Sequence, residues 1–368
     1  MNRAAEWADA ERLLCVRLDA MGDVIMTEPA LRALKRSGPR RRLTLLTSPA
    51  GAMIAPYLPA VDDVIAYAAP WVKATAPYAS ASAEQALIAR LRALRFDGAV
   101  VFTVYSQSAL PAAHLCYLAE IPRRLAYCRE NPYGLLTDWL PETEPEQRLR
   151  HEVRRQLDLV AWLGAAPDDE RLRLHLPAAE RSAAQQRLAR LGIAPESRWV
   201  IVHPGASAPS RRYPAASFTA VARTLVEAHG CAVVFTGSAE ERALIEDIRR
   251  GMQAPSHSLA GELTLGELCG LIALAPLLIA NNTGPVHIAA AFGTPVVDLY
   301  ALTNPQHMPW EVENRVLYHN VPCKYCYKSV CPEGHNACLR RVPPAAVVDA
   351  ALELLTPARA PARARAGD

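Results

Sequence analysis

The feature that most constrains the fold is an alternation of short apolar strands and helical patterns, which runs through the chain twice. In the first half, a strand at residues 13–18 precedes a helical pattern at residues 27–36, with Pro29 near its start. In the second half, the strand Trp199–His203 precedes a helical pattern at residues 215–229. Strands that alternate with helices favour a parallel sheet covered by helices. We therefore predict an α/β protein.

The length of 368 residues and the repeated pattern together indicate two domains. Half of the residues are hydrophobic, which is enough for a core in each domain. Residues 165–176 have mixed charge and no clear period, so we place the domain junction there. We predict a loop-rich stretch at residues 123–146. The predicted domains are residues 1–165 and 175–342, followed by a helix at 343–355 and a disordered, Pro/Ala/Arg-rich tail at 356–368.

Charge and hydropathy exclude some classes of function. A net charge of +3 argues against a nucleic-acid partner. Basic clusters at residues 35–42 and 148–155 are either solvated surface or a rim that attracts a phosphorylated acceptor. Residues 1–14 contain no apolar signal-peptide core, and the longest apolar run, residues 268–280, is too short to span a membrane. We expect a cytoplasmic protein, peripheral to the inner membrane if its acceptor is a lipid.

The first turn of interest is Met21-Gly22-Asp23, which follows the first strand. Open α/β sheets bind ligands at the carboxyl ends of their strands. Glycine lets the backbone turn tightly and approach a ligand closely. Asp23 stands at or near the N-terminus of the next helix. It either caps that helix or acts as a general base that accepts a proton from a hydroxyl group.

A second turn, His203-Pro-Gly-Ala-Ser207, follows the strand Trp199–His203, and Arg211 comes four residues later. Backbone N–H groups supply fixed donors, and a guanidinium supplies a bidentate cation. Together they suit a diphosphate. The alternative is an ordinary surface loop with two solvated arginines, Arg211 and Arg212.

A third turn, Asn281-Asn-Thr-Gly-Pro285, follows a buried strand at residues 277–280 and opens a predicted helix at residues 287–292. Helix N-termini bind anions through free N–H groups and the helix dipole. The density of donors at Asn282, Thr283 and Gly284 favours a ligand site, although these residues could simply cap the helix. A lone histidine one turn into a helix, such as His287, is more often structural than catalytic.

The chain contains nine cysteines, and four of them fall within sixteen residues, with His335 among them. A tight four-thiol set that begins Cys-x2-Cys predicts a structural metal site for zinc or iron. The alternative is four unligated thiols. In a reducing cytosol no disulfides are expected, and the five scattered cysteines are expected in the core. The predicted ligands are Cys323, Cys326, Cys331 and Cys338.

Taken together, the three turns resemble those of glycosyltransferase family 9, the ADP-heptose heptosyltransferases of lipopolysaccharide core assembly. The resemblance extends from about residue 13 to residue 355. It rests on Arg17-Leu-Asp-Ala-Met-Gly-Asp-Val24 with Thr27-Glu-Pro-Ala-Leu-Arg-Ala-Leu34, His203-Pro-Gly-Ala-Ser207 with Ser210-Arg-Arg-Tyr-Pro214, and Asn282-Thr-Gly-Pro-Val-His-Ile-Ala-Ala-Ala291 with Gly293-Thr-Pro-Val296.

The resemblance implies a GT-B fold, with two Rossmann-like domains that face a cleft and a donor held mainly by the C-terminal one. It implies an inverting transfer of heptose from ADP-heptose to a lipid-linked core oligosaccharide or related glycan, without a catalytic metal. Asp23 matches the proposed general base. The residues that match donor-binding positions are Gly22, Gly205, Ser207, Arg211, Gly237, Glu240, Asn282, Thr283, Gly284 and His287.

Two departures leave the sugar open. Arg211 stands where the family usually has lysine, and Asn282 stands where it often has aspartate. Some members bind iron through cysteines, so the metal stays open as well. Alternative functions are another nucleotide-sugar enzyme of this fold, such as a 2-epimerase or a transferase to a protein acceptor, and a metal-binding scaffold without activity.

Overall fold

The computed structural model describes residues 6–72, 80–194 and 196–356, so nearly all of the predicted disordered tail lies outside the described residues. The chain divides into two compact units. The first unit contains the described residues up to Glu180 and two later segments, Thr283–Phe292 and Asn304–Glu311. The second unit contains Arg181–Asn282, Gly293–Thr303 and the described residues from Val312 onward. The predicted junction at residues 165–176 lies inside the first unit, just before this boundary.

The first unit is built on a parallel six-stranded sheet in the order β3-β2-β1-β4-β5-β6. Its central strand β1 is buried apart from its first residue, and it is apolar between Arg12 and Arg17, as expected for a sheet covered on both faces. The elements are β1 (Arg12–Arg17), α1 (Met21–Arg36), β2 (Arg42–Thr47), α2 (Pro49–Ile54), β3 (Asp63–Ala66), α3 (Ser82–Leu94), β4 (Gly98–Val101), α4 (Leu110–Leu118), β5 (Arg123–Cys128), β6 (Asp138–Pro141) and α5 (Glu152–Ala161).

The second unit is built on another parallel six-stranded sheet, in the order β12-β11-β10-β7-β8-β9. The two sheets confirm the predicted α/β architecture. The remaining elements are α6 (Ala178–Arg190), β7 (Trp199–His203), α7 (Ala215–Glu227), β8 (Ala232–Phe235), α8 (Arg242–Met252), β9 (His257–Ser258), α9 (Leu265–Leu274), β10 (Leu278–Asn281), α10 (Gly284–Phe292), β11 (Val296–Leu299), β12 (Asn314–Leu317), α11 (Ala337–Arg340) and α12 (Pro344–Leu355).

Two segments from late in the sequence complete the first unit. Helix α10 packs against α1. The segment Asn304–Glu311 is held by the start of α5, where the Glu152 amide donates to the Gln306 carbonyl at 3.0 Å. The His151 ring stacks on Trp310 with centroids 4.4 Å apart. No helix among the described residues combines the length and apolar character needed to cross a bilayer.

Two expectations about secondary structure are wrong. The helix predicted at residues 27–36 begins at Met21, because the Asp23 carboxylate accepts a hydrogen bond from the Ala20 amide and caps the first turn. Pro29 therefore lies inside the helix. The predicted loop-rich stretch at 123–146 contains β5 and β6. The polar residues of this stretch favoured a loop over strands. Arg124 is accommodated in β5 because its partly buried guanidinium donates to the Gly134 and Leu135 carbonyls.

Candidate functional site

A fully buried guanidinium lies at the carboxyl end of β1. Arg17 Nε is 2.9 Å from Asp19 Oδ2, Nη1 donates to Glu152 Oε1 at 2.8 Å, and Nη2 donates to Asp23 Oδ1 at 3.2 Å. Burial by itself would lower the pKa of Arg17, but the three carboxylates raise it above its usual value. One permanent cation therefore organises three carboxyl groups at this end of the sheet.

Asp23, the predicted base, lies in the first turn of α1. Its Oδ2 accepts a hydrogen bond from the Ala20 amide at 3.1 Å, so it does make the capping contact of the alternative interpretation. The same carboxylate also faces the Arg17 guanidinium and lies 3.7 Å from His307 Nε2. Its side chain keeps 14% of its surface exposed, so a substrate hydroxyl can reach it. Capping and proton transfer are therefore compatible at this position.

Asp19 is a second carboxyl group at the site, which the sequence argument did not single out. Gln107 Nε2 donates to Asp19 Oδ1 at 2.6 Å. Burial raises the pKa of the Asp19 carboxyl to about 6, against the opposing effect of Arg17 and with a further contribution from the charge of Asp23. Asp19 also lines a cavity of about 280 Å³ in the first unit. A carboxyl group in such a cavity is a candidate for contact with a substrate.

Helix α10 brings the predicted residues Gly284 and His287 into the first unit, beside the start of α1. A Cβ added to Gly22 would lie 2.7 Å from His287 Cδ2, so glycine is required for this close approach. His287 is buried. Thr283 directly precedes α10, and its carbonyl accepts from the Val286 amide at 3.1 Å. Gly22, Thr283, Gly284 and His287 therefore belong to the same unit as Asp23.

Two more predicted glycines lie in turns of the second unit, Gly205 after β7 and Gly237 after β8. A Cβ on Gly205 would run into the Glu241 carboxylate, and a Cβ on Gly237 would lie 3.0 Å from the same group. The Ser238 amide donates to Glu241 Oε2 at 2.8 Å. The predicted Glu240 is exposed, as is Ser207. Glu241, which the sequence argument missed, is the acidic residue that faces both glycine turns.

Buried side chains hold the turn after β7 in place. Asn281 Nδ2 donates to the Pro204 carbonyl at 2.7 Å, and its Oδ1 accepts from the Tyr213 amide at 3.0 Å. His203 Nδ1 lies 3.0 Å from Thr236 Oγ1. Burial lowers the pKa of His203, so its ring is neutral at pH 7. The second unit therefore presents a braced turn, with Arg211 at the end of a short 3₁₀ segment, Pro209–Arg211.

Asn282 forms a buried pair with an aspartate on the neighbouring strand. Its Nδ2 donates to Asp298 Oδ2 at 3.1 Å, and Asp298 Oδ1 has no hydrogen-bond partner among the described residues. Burial raises the pKa of the Asp298 carboxyl to about 8, although Asn282 and the charge of Arg211 oppose the shift. The Asp298 side chain is therefore protonated in most protein molecules at pH 7.

We expect Asp298→Asn to change how stability depends on pH. The folded-state pKa of Asp298 lies far above its ordinary value, so the proton it holds stabilises the fold at low pH, and this contribution is lost as pH rises through about 8. Asparagine keeps the bond from Asn282 and does not titrate. Urea unfolding should show that the variant gains about 2 kcal/mol relative to the parent between pH 6 and pH 8. Parallel stability curves would contradict this assignment.

The four predicted metal ligands are not assembled into a site. Among the described residues, no group of three or more His, Cys, Asp or Glu side chains is placed to hold a metal ion. Cys323 Sγ lies 3.9 Å from His335 Nε2. The loop that carries the thiols is instead fixed by its backbone, since the Tyr325 and Tyr327 amides donate to the Leu302 and Thr303 carbonyls. The predicted metal site therefore remains a prediction from the cysteine spacing.

Some of the residues that sequence reasoning missed left a trace in the sequence. Arg17 is a charged residue within an otherwise apolar strand, and Asp298 interrupts the apolar strand β11 in the same way. A charge within a buried strand requires a partner. Nothing in the sequence pointed to Glu152 as the partner of Arg17, because 135 residues separate them.

Comparisons with known proteins give this arrangement a context. A family model described as glycosyltransferase family 9 (heptosyltransferase) matches residues 85–337. Lipooligosaccharide heptosyltransferase 2 of Campylobacter jejuni is 31% identical over 159 residues, which cover 42% of this chain and only half of that protein. Lipopolysaccharide heptosyltransferase 2 of Salmonella typhimurium is 26% identical over 309 residues, which cover 81% of this chain and 85% of that protein.

The solved structure of E. coli ADP-heptose lipopolysaccharide heptosyltransferase II has the same fold. It matches with a TM-score of 0.72 at 23% identity, over 94% of this chain and 98% of that one. The expected GT-B fold is confirmed.

Proposed function

Because this chain belongs to glycosyltransferase family 9, we propose that it is an inverting glycosyltransferase that transfers heptose from ADP-heptose to a lipopolysaccharide core or related glycan. Family membership supports the reaction class. The names of the relatives support heptose as the sugar and the core as the acceptor. The observation that carries the proposal is the Asp23 carboxylate, held by Arg17 at the start of α1 and still accessible.

The proposed reaction is a single displacement at the anomeric carbon. The acceptor oxygen forms the new bond to that carbon while the bond to the ADP oxygen breaks, and ADP leaves with the bonding electrons. Asp23 accepts the proton of the acceptor hydroxyl. Positive charge grows on the sugar ring, as in glycoside hydrolysis, and negative charge grows on the diphosphate. The proposed chemistry uses no metal.

In the proposed division of work, the second unit holds most of the donor. The turn at Gly205 brings backbone close to the ligand, and Arg211 supplies positive charge to the diphosphate. Asn282 donates to sugar hydroxyls or phosphate oxygens, as do the residues at the start of α10. Asp23 in the first unit supplies the base. The roles of Asp23 and of the ten predicted donor positions, Arg211 among them, are part of this proposal.

The setting of Asp23 suits a general base. Arg17 Nη2 and the Ala20 amide both donate to its carboxylate, and these hydrogen bonds fix its orientation. His307, 3.7 Å away, adds a second group that can stabilise the carboxylate when its ring is protonated. The same contacts would orient the carboxylate toward an incoming hydroxyl.

We expect Arg211→Ala to weaken ADP-heptose binding, because it removes a charged hydrogen-bond donor from the diphosphate. A hydrogen bond to a charged group is worth about 1.5–3 kcal/mol, which corresponds to about 10- to 100-fold in the dissociation constant. Isothermal titration with ADP measures the effect. The matched control is Arg223→Ala, which removes an exposed arginine on α7 of the same unit. Equal affinities for both variants would exclude Arg211 from the donor site.

The acceptor and the location follow from the same proposal. We propose a lipid-linked core oligosaccharide as acceptor, reached from the cytoplasm at the inner membrane surface. A structural zinc or iron at the four cysteines is a separate proposal, and only the sequence spacing supports it. Elemental analysis of the purified protein, beside a variant with Cys323 and Cys338 changed to serine, tests it.

Product analysis by mass spectrometry tests the function directly. We expect ADP-heptose and a core-oligosaccharide acceptor to give a product one heptose heavier, with release of ADP. Free sugar as the only product would favour a 2-epimerase or hydrolase. A glycosylated polypeptide would favour a protein acceptor. Failure to bind either ADP or ADP-heptose would leave a scaffold without activity.

A further inference from the structure

The cavity beside Asp19 lies within the first unit, where the central strands end. It measures about 280 Å³. Its floor is apolar and comes from the last residues of β1 and β4 and the residues that follow them, Val16, Leu18, Val101 and Phe102. These side chains are nearly or fully buried. The volume and the apolar floor suit one ring-sized ligand.

Polar groups line one wall of this cavity. Asp19 is fixed from two sides, by Arg17 Nε at 2.9 Å and by Gln107 Nε2 at 2.6 Å. Neighbouring lining residues add hydroxyl groups from Thr103, Ser106 and Ser108. A carboxylate beside an amide and several hydroxyls matches the hydrogen-bonding groups of a sugar, because sugar hydroxyls both donate and accept.

An aromatic ring supplies another side of the cavity. Trp71 lines it and keeps 36% of its surface exposed. Its ring contacts Tyr67 edge-on, with centroids 5.8 Å apart and planes at 60°, which orients it. An indole offers a large, rigid apolar face. The C–H face of a sugar ring packs against such a surface.

The charges around the cavity disfavour an anionic ligand. Among its described lining residues, Asp19 is the only charged side chain. An adjoining cavity of about 270 Å³ shares Ser106, Gln107 and Ser108 and is lined by Arg129, Glu130 and Glu142. Arg129 Nη1 already lies 3.3 Å from Glu146 Oε2, and Glu142 is paired with the buried Arg155. A carboxylate or phosphate on a ligand in the cavity beside Asp19 would be repelled, because the side chains that line the two cavities carry more negative than positive charge.

We propose that this cavity binds the terminal sugar of the acceptor, and that it selects a neutral sugar over one that bears a carboxylate or phosphate. The assignment to the acceptor rests on the proposed function. Arg17 forms ion pairs with both Asp19 and Asp23, so a sugar held by Asp19 would lie next to the cation that also holds the proposed base.

Direct binding to the full chain tests this inference without turnover. The probes are methyl α-mannopyranoside and its C6 uronic acid, which differ only in the group at C6, titrated by ligand-observed NMR. We expect the neutral glycoside to bind at least tenfold more tightly. Asp19→Asn should raise its dissociation constant about tenfold, since a hydrogen bond to a charged acceptor becomes a neutral one, and should reduce the discrimination. Trp71→Ala should also weaken binding.

The control is Trp162→Ala, which removes an exposed tryptophan at the end of α5, outside the cavity lining. It should leave glycoside binding unchanged. Equal or tighter binding of the uronic acid, or neutral binding that survives both Asp19→Asn and Trp71→Ala, would overturn the inference. Calorimetry with ADP-heptose separates this result from the proposed function, because a chain that binds the neutral glycoside but no donor refutes the function and leaves the cavity assignment standing.

Discussion

Asp23→Asn is expected to lower the turnover number of the proposed heptose transfer by about 10²–10⁴-fold, the usual contribution of a positioned general base. Asparagine keeps the size of the side chain and can still accept the hydrogen bond from the Ala20 amide, so helix α1 retains its cap. It cannot take up a proton. Single-turnover kinetics with ADP-heptose and acceptor measures the loss.

The affinity for ADP distinguishes a base from a binding residue. We expect the dissociation constant of ADP to stay within about twofold in Asp23→Asn, since the proposed diphosphate contacts come from other residues. A parallel fall in turnover and donor affinity would show that Asp23 binds the donor. Full turnover in Asp23→Asn with an intact fold would transfer the role of base to another group, and Asp19 would be the first to examine.

Arg17→Met is expected to destabilise the fold by about 3–5 kcal/mol at pH 8, the range found when one partner of a buried ion pair is removed. The methionine fills much of the same volume but leaves Asp19, Asp23 and Glu152 without their shared cation. Carboxylates that are buried without a partner must be protonated or move into solvent. Urea unfolding followed by circular dichroism measures the loss.

The pH dependence identifies the cause of this loss. The folded-state pKa of Asp19 is already raised to about 6, and loss of the Arg17 charge raises it further. A raised carboxyl pKa stabilises the fold at low pH, and this contribution disappears as pH rises through the folded-state pKa. The stability deficit of Arg17→Met should therefore shrink between pH 8 and pH 5. A constant deficit would indicate lost packing instead.

The matched control for this prediction is Arg40→Met. Arg40 is 81% exposed and pairs with Glu11 at the surface. Pairs of this kind contribute about 0–1 kcal/mol, so unfolding of this variant should resemble that of the parent. A similar loss in both variants would mean that substitution of any arginine in this unit is damaging.

The strand–helix alternation was sufficient to predict two parallel sheets, because strand and helix periods are local properties of the sequence. Strands at the sheet centres, such as β2 and β7, fall where the sequence placed them, since full burial makes them continuously apolar. The edge strands β6, β9 and β12 were missed. They are short and carry polar residues, as the edges of sheets do.

The three glycine-containing turns could also be found from the sequence, because tight backbone turns restrict residue type locally. What surrounds them could not. The pairing of Arg17 with Glu152, the approach of Glu241 to Gly205, and the bond between Asn282 and Asp298 join positions that are far apart in sequence or lie on different strands. No local pattern encodes such contacts.

The sequence by itself therefore determined the fold class, the turns and the candidate base Asp23. The tertiary structure alone decided which charges share a buried site, and it assigned α10 to the first unit although its neighbouring strands belong to the second. The physical reason is that hydrophobic periodicity depends only on the order of residues along the chain, so the sequence is enough to recognise it. The pKa of a buried carboxyl group depends instead on burial and on the charges that folding brings to it.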